Sequence, residues 1–133
     1  MTSIIQEAFG YSPFALTLFV QDLGTSKNFY GRALGLSLVF QDDVSAVYRC
    51  GQTMINLLLD GEAGDLIYPA KVSGTNSVKA LYTLRCANID GAAAELEEAG
   101  VQLLNGPIDR PWGVRTVSFQ DPSGHAWELA NHD

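Results

Sequence analysis

The chain of 133 residues has the length of one domain; 47% of its residues are hydrophobic and 17% are charged. This balance excludes a disordered tail and a fibrous protein, because enough apolar surface is present to build a core. Eight basic residues against fifteen acidic ones give a formal net charge of −7. Negative charge disfavours phosphate backbones and anionic lipids, so we expect no nucleic-acid partner and no membrane partner, and a cationic small molecule is mildly favoured.

The sequence carries no recognisable targeting signal. Its first residues, Met-Thr-Ser-Ile-Ile-Gln-Glu, lack the basic start and the long apolar run of a secretion signal. No apolar stretch approaches the roughly 20 residues that a membrane helix needs. The two cysteines, Cys50 and Cys86, are too few for a disulfide framework, and we expect reduced, buried thiols. These features favour a cytoplasmic location.

The first half of the chain is predicted to form one strand, one helix and three more strands. Alternating apolar residues mark the first strand at 14–20. Asp22 then caps a helix that ends before Gly35, a residue suited to a helix C-terminus. A turn at Gly51-Gln52 separates the last two strands. The three later strands are predicted at 36–41, 44–50 and 53–60.

The second half repeats this order after a linker at 61–77 that is rich in Gly and Pro. Asn88 caps the second helix, and Gly100 ends it. The run Asp121-Pro122-Ser123-Gly124 is a strong turn signal before the last strand. The strands of this half are predicted at 79–86, 101–105, 113–120 and 125–131.

The two halves align with each other at a nearly constant offset. Val20 and Cys86 lie 66 residues apart, and Gly35 and Gly100 lie 65 apart. Such self-similarity is typical of a repeated structural unit. We therefore predict an α+β single domain over 1–133 that contains two tandem βαβββ modules, at 14–60 and 78–131.

Several runs resemble the vicinal oxygen chelate superfamily, which includes glyoxalase I, extradiol dioxygenases, fosfomycin-resistance transferases and bleomycin-resistance proteins. The opening run Leu16-Thr-Leu-Phe-Val-Gln-Asp-Leu, with Phe29-Tyr30 and Leu34-Gly35-Leu36, resembles the start of these proteins. The segment Pro111-Trp112-Gly113-Val114-Arg115 and the run at 119–129 resemble their closing signature, and the Pro-Trp-Gly start is most similar to the bleomycin-resistance branch.

The resemblance implies a fold and an assembly. It implies curved mixed sheets around a cup, with the helices outside. It also implies a homodimer, which many members build by exchanging strands or modules. It does not imply one chemistry, because this scaffold supports many reactions.

The resemblance also implies where a metal would bind. Enzymatic members hold a divalent ion at four cup positions, which here are Ala15, Asn56, Leu81 and Glu128. Alanine and leucine carry no donor atom, and asparagine offers one neutral oxygen, so only Glu128 is an ordinary ligand. The two histidines, at 125 and 132, lie outside these positions. We therefore predict no metal and no cofactor, which argues against metal-dependent glyoxalase or dioxygenase activity.

What remains is a mostly apolar cup with a few polar groups, which is typical of a small-molecule pocket. Glu128 either meets a cationic or hydrogen-bonding ligand or is a relic carboxylate paired with Arg85 or Arg115. Trp112, on a loop, either stacks on a planar ligand or packs in a dimer, whereas Trp127 is expected in the core. The predicted ligand-binding residues are Phe19, Met54, Asn56, Leu58, Arg85, Trp112, Arg115 and Glu128.

Three functions stay open at this point. The first is a metal-free binding protein that sequesters an antibiotic or another aromatic or cationic compound. The second is an enzyme, either a glyoxalase- or dioxygenase-like one with a degenerate metal site or one that uses Glu128 as a general base. The third is a regulatory or structural partner that holds no ligand.

Overall fold

The computed structural model describes residues 3–74 and 78–132, which form two four-stranded mixed sheets. The strand order is β1-β4-β3-β2 in the first sheet and β5-β8-β7-β6 in the second, so both halves share one topology. In each sheet the first strand runs parallel to the fourth, and the other pairs are antiparallel. The predicted α+β fold with a βαβββ order is confirmed. The strands are β1 (Ala15–Val20), β2 (Leu38–Gln41), β3 (Ser45–Cys50), β4 (Thr53–Leu59), β5 (Leu81–Arg85), β6 (Leu103–Asp109), β7 (Arg115–Gln120) and β8 (Ala126–Ala130).

In the part of the chain that the structure describes, four α-helices accompany the sheets: α1 (Ile4–Ala8), α2 (Leu23–Lys27), α3 (Gly64–Ile67) and α4 (Ile89–Glu98). Asp22 and Asn88 cap α2 and α4, and each side chain accepts a hydrogen bond from the backbone N–H three residues later, at 3.0 and 2.9 Å. Both predicted caps are confirmed. Within 3–74 and 78–132, no helix is long and apolar enough to cross a membrane.

The first helix of the repeat differs from the prediction of one regular helix up to Gly35. After α2 the backbone widens into a π-helical segment, Asn28–Ala33. Leu34 N–H donates to the carbonyl of Phe29, five residues earlier, at 2.9 Å. Phe29 and Tyr30, although adjacent in sequence, are both buried in the core. The π-helical turn thus occurs where two neighbouring aromatic residues both pack in the core. The spacing of apolar residues in the sequence predicts a regular helix and does not reveal this turn.

Strand β6 extends to Asp109, so the predicted strand at 101–105 is too short and its start is two residues early. The sequence Gly106-Pro107 suggested an end, because proline has no N–H for a strand ladder. β6 is an edge strand, and its register with β7 shifts around these two residues. A bulge at a sheet edge accommodates the proline without costing an internal hydrogen bond.

The remaining differences from the prediction are two additional helices, the start of one strand and the burial of the cysteines. Helices α1 and α3 are not predicted; α3 lies within the predicted linker, of which residues 75–77 are outside the described residues. Strand β7 begins at Arg115 instead of 113, because Gly113 has a φ of +96°, which a strand does not use. Cys50 and Cys86 are both free, as expected, but each is half-buried instead of fully buried.

Both modules contribute to one hydrophobic core. The helix-facing side chains of the first sheet pack in the same cluster as aromatic residues of the second sheet. Trp127, predicted as a core residue, is 3% exposed and belongs to this cluster. Other buried members of the cluster are Leu18, Val20, Phe29, Tyr30, Tyr48, Ile55, Leu57, Leu96 and Phe119.

A buried polar network crosses between the modules. The Tyr30 hydroxyl in the π-helical segment donates to Oδ2 of Asp121 at 2.7 Å, and Trp127 Nε1–H donates to the Tyr30 oxygen at 3.0 Å. The other carboxylate oxygen, Oδ1, accepts from the backbone N–H groups of Ser123 and His125 at 2.9 and 2.8 Å. One carboxylate therefore both shapes the turn after β7 and binds it to the first module.

The same turn also contacts the end of β1. His125 Nε2–H donates to the carbonyl of Phe19 at 2.8 Å. The backbone N–H of Gln21 donates to Ser123 Oγ at 3.2 Å. Residues 121–125 thus connect the two modules through hydrogen bonds, and we call this segment the inter-module turn.

The environment of Tyr30 favours its neutral form. Burial raises the pKa of the Tyr30 hydroxyl well above its usual value of 10, and the negative charge of Asp121 and the hydrogen bond to it raise the pKa further. As pH rises past 10, the unfolded chain loses this proton first, so the free energy of unfolding falls with increasing pH.

Tyr30→Phe is expected to lower the free energy of unfolding near pH 7 by about 1–3 kcal/mol, because Asp121 and Trp127 each lose a buried partner. Between pH 10 and 11 the variant should also lose stability less steeply than the natural protein, by up to about 1.4 kcal/mol per pH unit. Urea unfolding at several pH values measures both effects. Tyr11→Phe is the control, because Tyr11 is 82% exposed. Equal pH slopes for the Tyr30 variant and the natural protein would contradict this account.

Gly106→Ala is expected to destabilise the protein by about 2 kcal/mol or more, since a Cβ there would lie 2.5 Å from the carbonyl oxygen of Thr116 and the φ of +93° strains any other residue. Thermal or urea unfolding tests this. Gly61→Ala serves as the control, because a Cβ at that position meets no atom within 4 Å. Similar stability of both variants would show that β6 does not approach β7 as described.

Candidate small-molecule binding site

The register of β1 and β4 places alternate residues on one face of the first sheet, which we call the concave face. Ala15, Thr17 and Phe19 of β1 lie beside Met54, Asn56 and Leu58 of β4, respectively. The intervening residues pack in the core, so the concave face is the one that the helices leave uncovered.

The second sheet has the equivalent face. Its concave side carries Leu81, Thr83 and Arg85 of β5, which lie beside Ala126, Glu128 and Ala130 of β8. The opposite face carries Tyr82 and Trp127, whose ring centroids are 5.0 Å apart and whose side chains pack towards the core. Six of the eight predicted binding residues therefore lie on concave faces: Phe19, Met54, Asn56, Leu58, Arg85 and Glu128. Their role in binding stays a prediction.

Equivalent positions of the two modules carry equivalent polar pairs. Asn56 Nδ2–H donates to Thr17 Oγ1 at 3.3 Å, and the Thr83 hydroxyl donates to Glu128 Oε1 at 3.0 Å. Each threonine thus fixes the side chain on the neighbouring strand. Among the described residues, Glu128 makes no ion pair and no other side-chain hydrogen bond, so its second oxygen remains open to a ligand.

The suggested pairing of Glu128 with Arg85 or Arg115 is wrong. Arg115 lies on the helix side of β7 and pairs with Asp90 and Asp109 at 2.9 and 3.1 Å. These two hydrogen bonds raise the pKa of the Arg115 guanidinium. Arg85 is exposed on the concave face and makes no ion pair within the described ranges. The charge of Glu128 is therefore not neutralised by either arginine.

Trp112 stands apart from the concave faces. It lies in the turn between β6 and β7, which a hydrogen bond from Gly113 N–H to the carbonyl of Arg110 closes at 3.0 Å. Its side chain is 68% exposed. Neither Trp112 nor Arg115 lies on a concave face, and the other six predicted residues are divided between the sheets, four on the first and two on the second.

The residues at the four positions where the resemblance implies a metal ion do not fit such an ion. Ala15 and Leu81 have no lone pairs, and the two remaining side chains are one amide and one carboxylate, each held by a threonine. No cluster of three or more His, Cys, Asp or Glu residues suited to an ion occurs in 3–74 and 78–132. His125 is engaged with Phe19, and His132 is exposed near the C-terminus.

One cavity next to the concave face was not predicted. It has a volume of about 330 Å³ and lies between β1 and the segment that leads into β5. Of the eight predicted residues, only Phe19 lines it. Lys71 and Lys79 also line it. They are two of the three lysines in the chain, but no motif in the sequence marks them as site residues.

Comparison with solved structures agrees with this fold. A glyoxalase-related enzyme from Fulvimarina pelagi aligns with a TM-score of 0.75 at 24% identity, covering 90% of this chain and 86% of that one. The lactoylglutathione lyase of Agrobacterium tumefaciens aligns with a TM-score of 0.71 at 19% identity, covering 90% and 92%. At these identities the likeness concerns the fold alone.

Sequence comparison shows the family. The glutathione transferase FosA of Serratia marcescens is 31% identical over 114 residues, which cover 86% of this chain and 76% of that protein. The uncharacterised protein YetH of Bacillus subtilis (strain 168) is 25% identical over 118 residues, covering 86% and 92%. Residues 13–129 match the family description as a whole. The chain therefore belongs to the Glyoxalase/Bleomycin resistance protein/Dioxygenase superfamily.

Proposed function

We propose that this protein binds a small, partly aromatic molecule on its concave faces without a metal ion, and that it acts by sequestering that molecule. The observation that carries the proposal is that Asn56 and Glu128, at two of the four positions where the resemblance implies a metal ion, are polar side chains each held by a threonine. Apolar side chains at 19, 54 and 58 provide the surrounding surface.

The Glu128 carboxylate supports a ligand with a cationic or hydrogen-bond-donating group, whereas Arg85 adds one positive charge at the exposed end of the same face. Glu128 is half-buried, its Oε1 accepts from Thr83, and it lacks an arginine partner within the described residues. A partly desolvated carboxylate gains more from a charged donor than a fully exposed one does. The net charge of −7 adds a weak attraction for cations.

A homodimer is part of the proposal. The concave face of the second sheet is open, with Thr83 and Arg85 exposed, so one chain alone encloses a ligand poorly. The segment before β1 adds exposed apolar side chains, which a second copy would cover by strand or module exchange: Ile4, Ile5, Phe9, Tyr11 and Phe14. We also place the protein in the cytoplasm, which suits its two unpaired cysteines.

Compounds of the bleomycin type and other aromatic, cationic antibiotics are expected to raise the melting temperature, because binding only to the folded state stabilises it. Glu128→Gln should weaken binding of the cationic members about tenfold or more, since glutamine keeps the acceptor for Thr83 but removes the charge. Thermal-shift screening followed by calorimetry measures this.

Glu98→Gln is the matched control, because it removes the same charge from an exposed position of α4 and should leave affinity unchanged. If no compound of these classes raises the melting temperature, sequestration of these classes is refuted. Equal affinities of the Glu128 variant and the natural protein would remove Glu128 from the site.

The second candidate is an enzyme, and the similarity to a protein named as a glutathione transferase favours testing it. A reaction would use Glu128 either as a general base or as part of a degenerate metal site of the glyoxalase or dioxygenase kind. This candidate requires that Glu128→Gln abolish turnover of glutathione with an electrophile, or of a related substrate, while the Glu98→Gln control stays active.

Loading with Zn²⁺, Ni²⁺, Mn²⁺ or Fe²⁺ tests the metal-dependent form of the enzyme. We expect dialysed protein to retain only substoichiometric metal and to melt at an unchanged temperature, because one carboxylate and one amide are a weak donor set. Elemental analysis gives the metal content. One retained ion per chain, lost in Glu128→Gln, would contradict metal-independent binding and favour the enzyme.

A further inference from the structure

The cavity between β1 and the start of β5 has features of its own that the proposed function does not use. Its volume of about 330 Å³ is at the lower end of the range for small-molecule pockets, about 300–1,000 Å³. Its apolar lining includes Phe19, Val72, Val78 and Tyr82. Neither Asn56 nor Glu128 lines it, although Thr17, which holds Asn56, and Phe19 border both this cavity and the concave face.

The charged groups around this cavity are all positive. Lys71 and Lys79 line it, and no Asp or Glu among the described residues does. The chain as a whole is acidic, with fifteen acidic and eight basic residues, so the charge at this cavity is opposite to the net charge. A concave apolar wall focuses the field of such cations towards a bound anion.

Neither lysine is neutralised by a neighbour. The ion pairs formed by residues 3–74 and 78–132 involve Arg115 and not these two side chains. Lys71 also borders a shallower cavity that includes Asp60, but it makes no ion pair with that residue. Both ammonium groups are therefore available to a ligand.

One side of the cavity is preformed. His125, from the inter-module turn, lines it and donates to the carbonyl of Phe19 at 2.8 Å. Ser123, which also lines it, accepts from the N–H of Gln21 at 3.2 Å. These bonds hold the turn against β1, so this wall does not have to order when a ligand enters, which lowers the cost of binding.

We propose that this cavity is a second binding site, specific for a small organic acid with one carboxylate on an aromatic or short aliphatic body. The apolar wall takes the hydrocarbon part, and the ammonium groups of Lys71 and Lys79 bind the carboxylate at the mouth. Its charge preference is opposite to that of the face that carries Glu128.

Isothermal titration calorimetry on the full chain tests the site with phenylacetate and octanoate. The neutral analogue phenylacetamide and the cation phenethylamine serve as comparison ligands, and inorganic phosphate serves as an anion without an apolar body. We expect the two carboxylates to bind at least about tenfold more tightly than all three comparison ligands, and the affinity to fall as salt concentration rises.

The double variant Lys71→Gln and Lys79→Gln should lose at least about tenfold in affinity for both carboxylates. Lys27→Gln is the matched control, because Lys27 is the remaining lysine and does not line this cavity. Both replaced lysines are exposed, so the melting temperature of the double variant should equal that of the control. Glu128→Gln should leave carboxylate binding unchanged, which separates this site from the proposed function.

Four results would overturn the proposal: no carboxylate binding, equal binding of phenylacetate and phenylacetamide, undiminished binding by the double variant, or equal binding of phosphate. Equal binding of phosphate would mean that the apolar wall contributes nothing. A loss of carboxylate binding in Glu128→Gln would assign the ligand to the concave face instead.

Discussion

A chain of two buried hydrogen bonds, from Trp127 to Tyr30 and from Tyr30 to Asp121, links the two halves of this protein. Asp121 is 5% exposed and Tyr30 is fully buried, so each polar group needs its partner to avoid the cost of an unsatisfied buried atom. Among the described residues, only the turn of the second module provides such a link. The corresponding turn of the first module, Gly51-Gln52, has two residues and no carboxylate. The repeat is therefore symmetric in its strands but not in its turns, and this turn, together with the shared core, holds the two halves together.

Most of the fold is predictable, because the local sequence signals for strands and helix caps occur in the same order in both halves of the chain. Side-chain alternation identifies seven of the eight strands closely, and the caps at Asp22 and Asn88 begin both repeat helices where the structure has them. Other features depend on contacts between distant residues. The π-helical turn at Asn28–Ala33 accompanies packing of Phe29 and Tyr30 in the shared core. Strand β6 continues through Pro107 because it lies at a sheet edge, a position that the sequence does not state.

The site is predictable to a smaller extent, for the same physical reason. Strand alternation suffices to place Asn56 and Glu128 on the same kind of face as the apolar side chains around them. It does not show which charges meet. Arg115 binds Asp90, at the start of α4, and Asp109, on the neighbouring strand, so its partner depends on how a helix packs on a sheet. Of the two alternatives for Glu128, pairing with an arginine fails at that point, and binding of a ligand by its carboxylate stays a prediction. Lys71 and Lys79 line one cavity although they lie on either side of a stretch whose sequence has no regular pattern.

The account divides the ligand chemistry by charge, with a carboxylate on the concave face and two ammonium groups at the neighbouring cavity. Its central claim is that the concave face binds a small molecule through Glu128 and not through a metal ion. Anomalous diffraction from crystals of protein purified from its native host tests that claim most directly. The account predicts density for an organic molecule against the Glu128 carboxylate and no anomalous peak beside it at the edges of zinc, nickel, iron or manganese. An anomalous peak within bonding distance of Glu128 would contradict it.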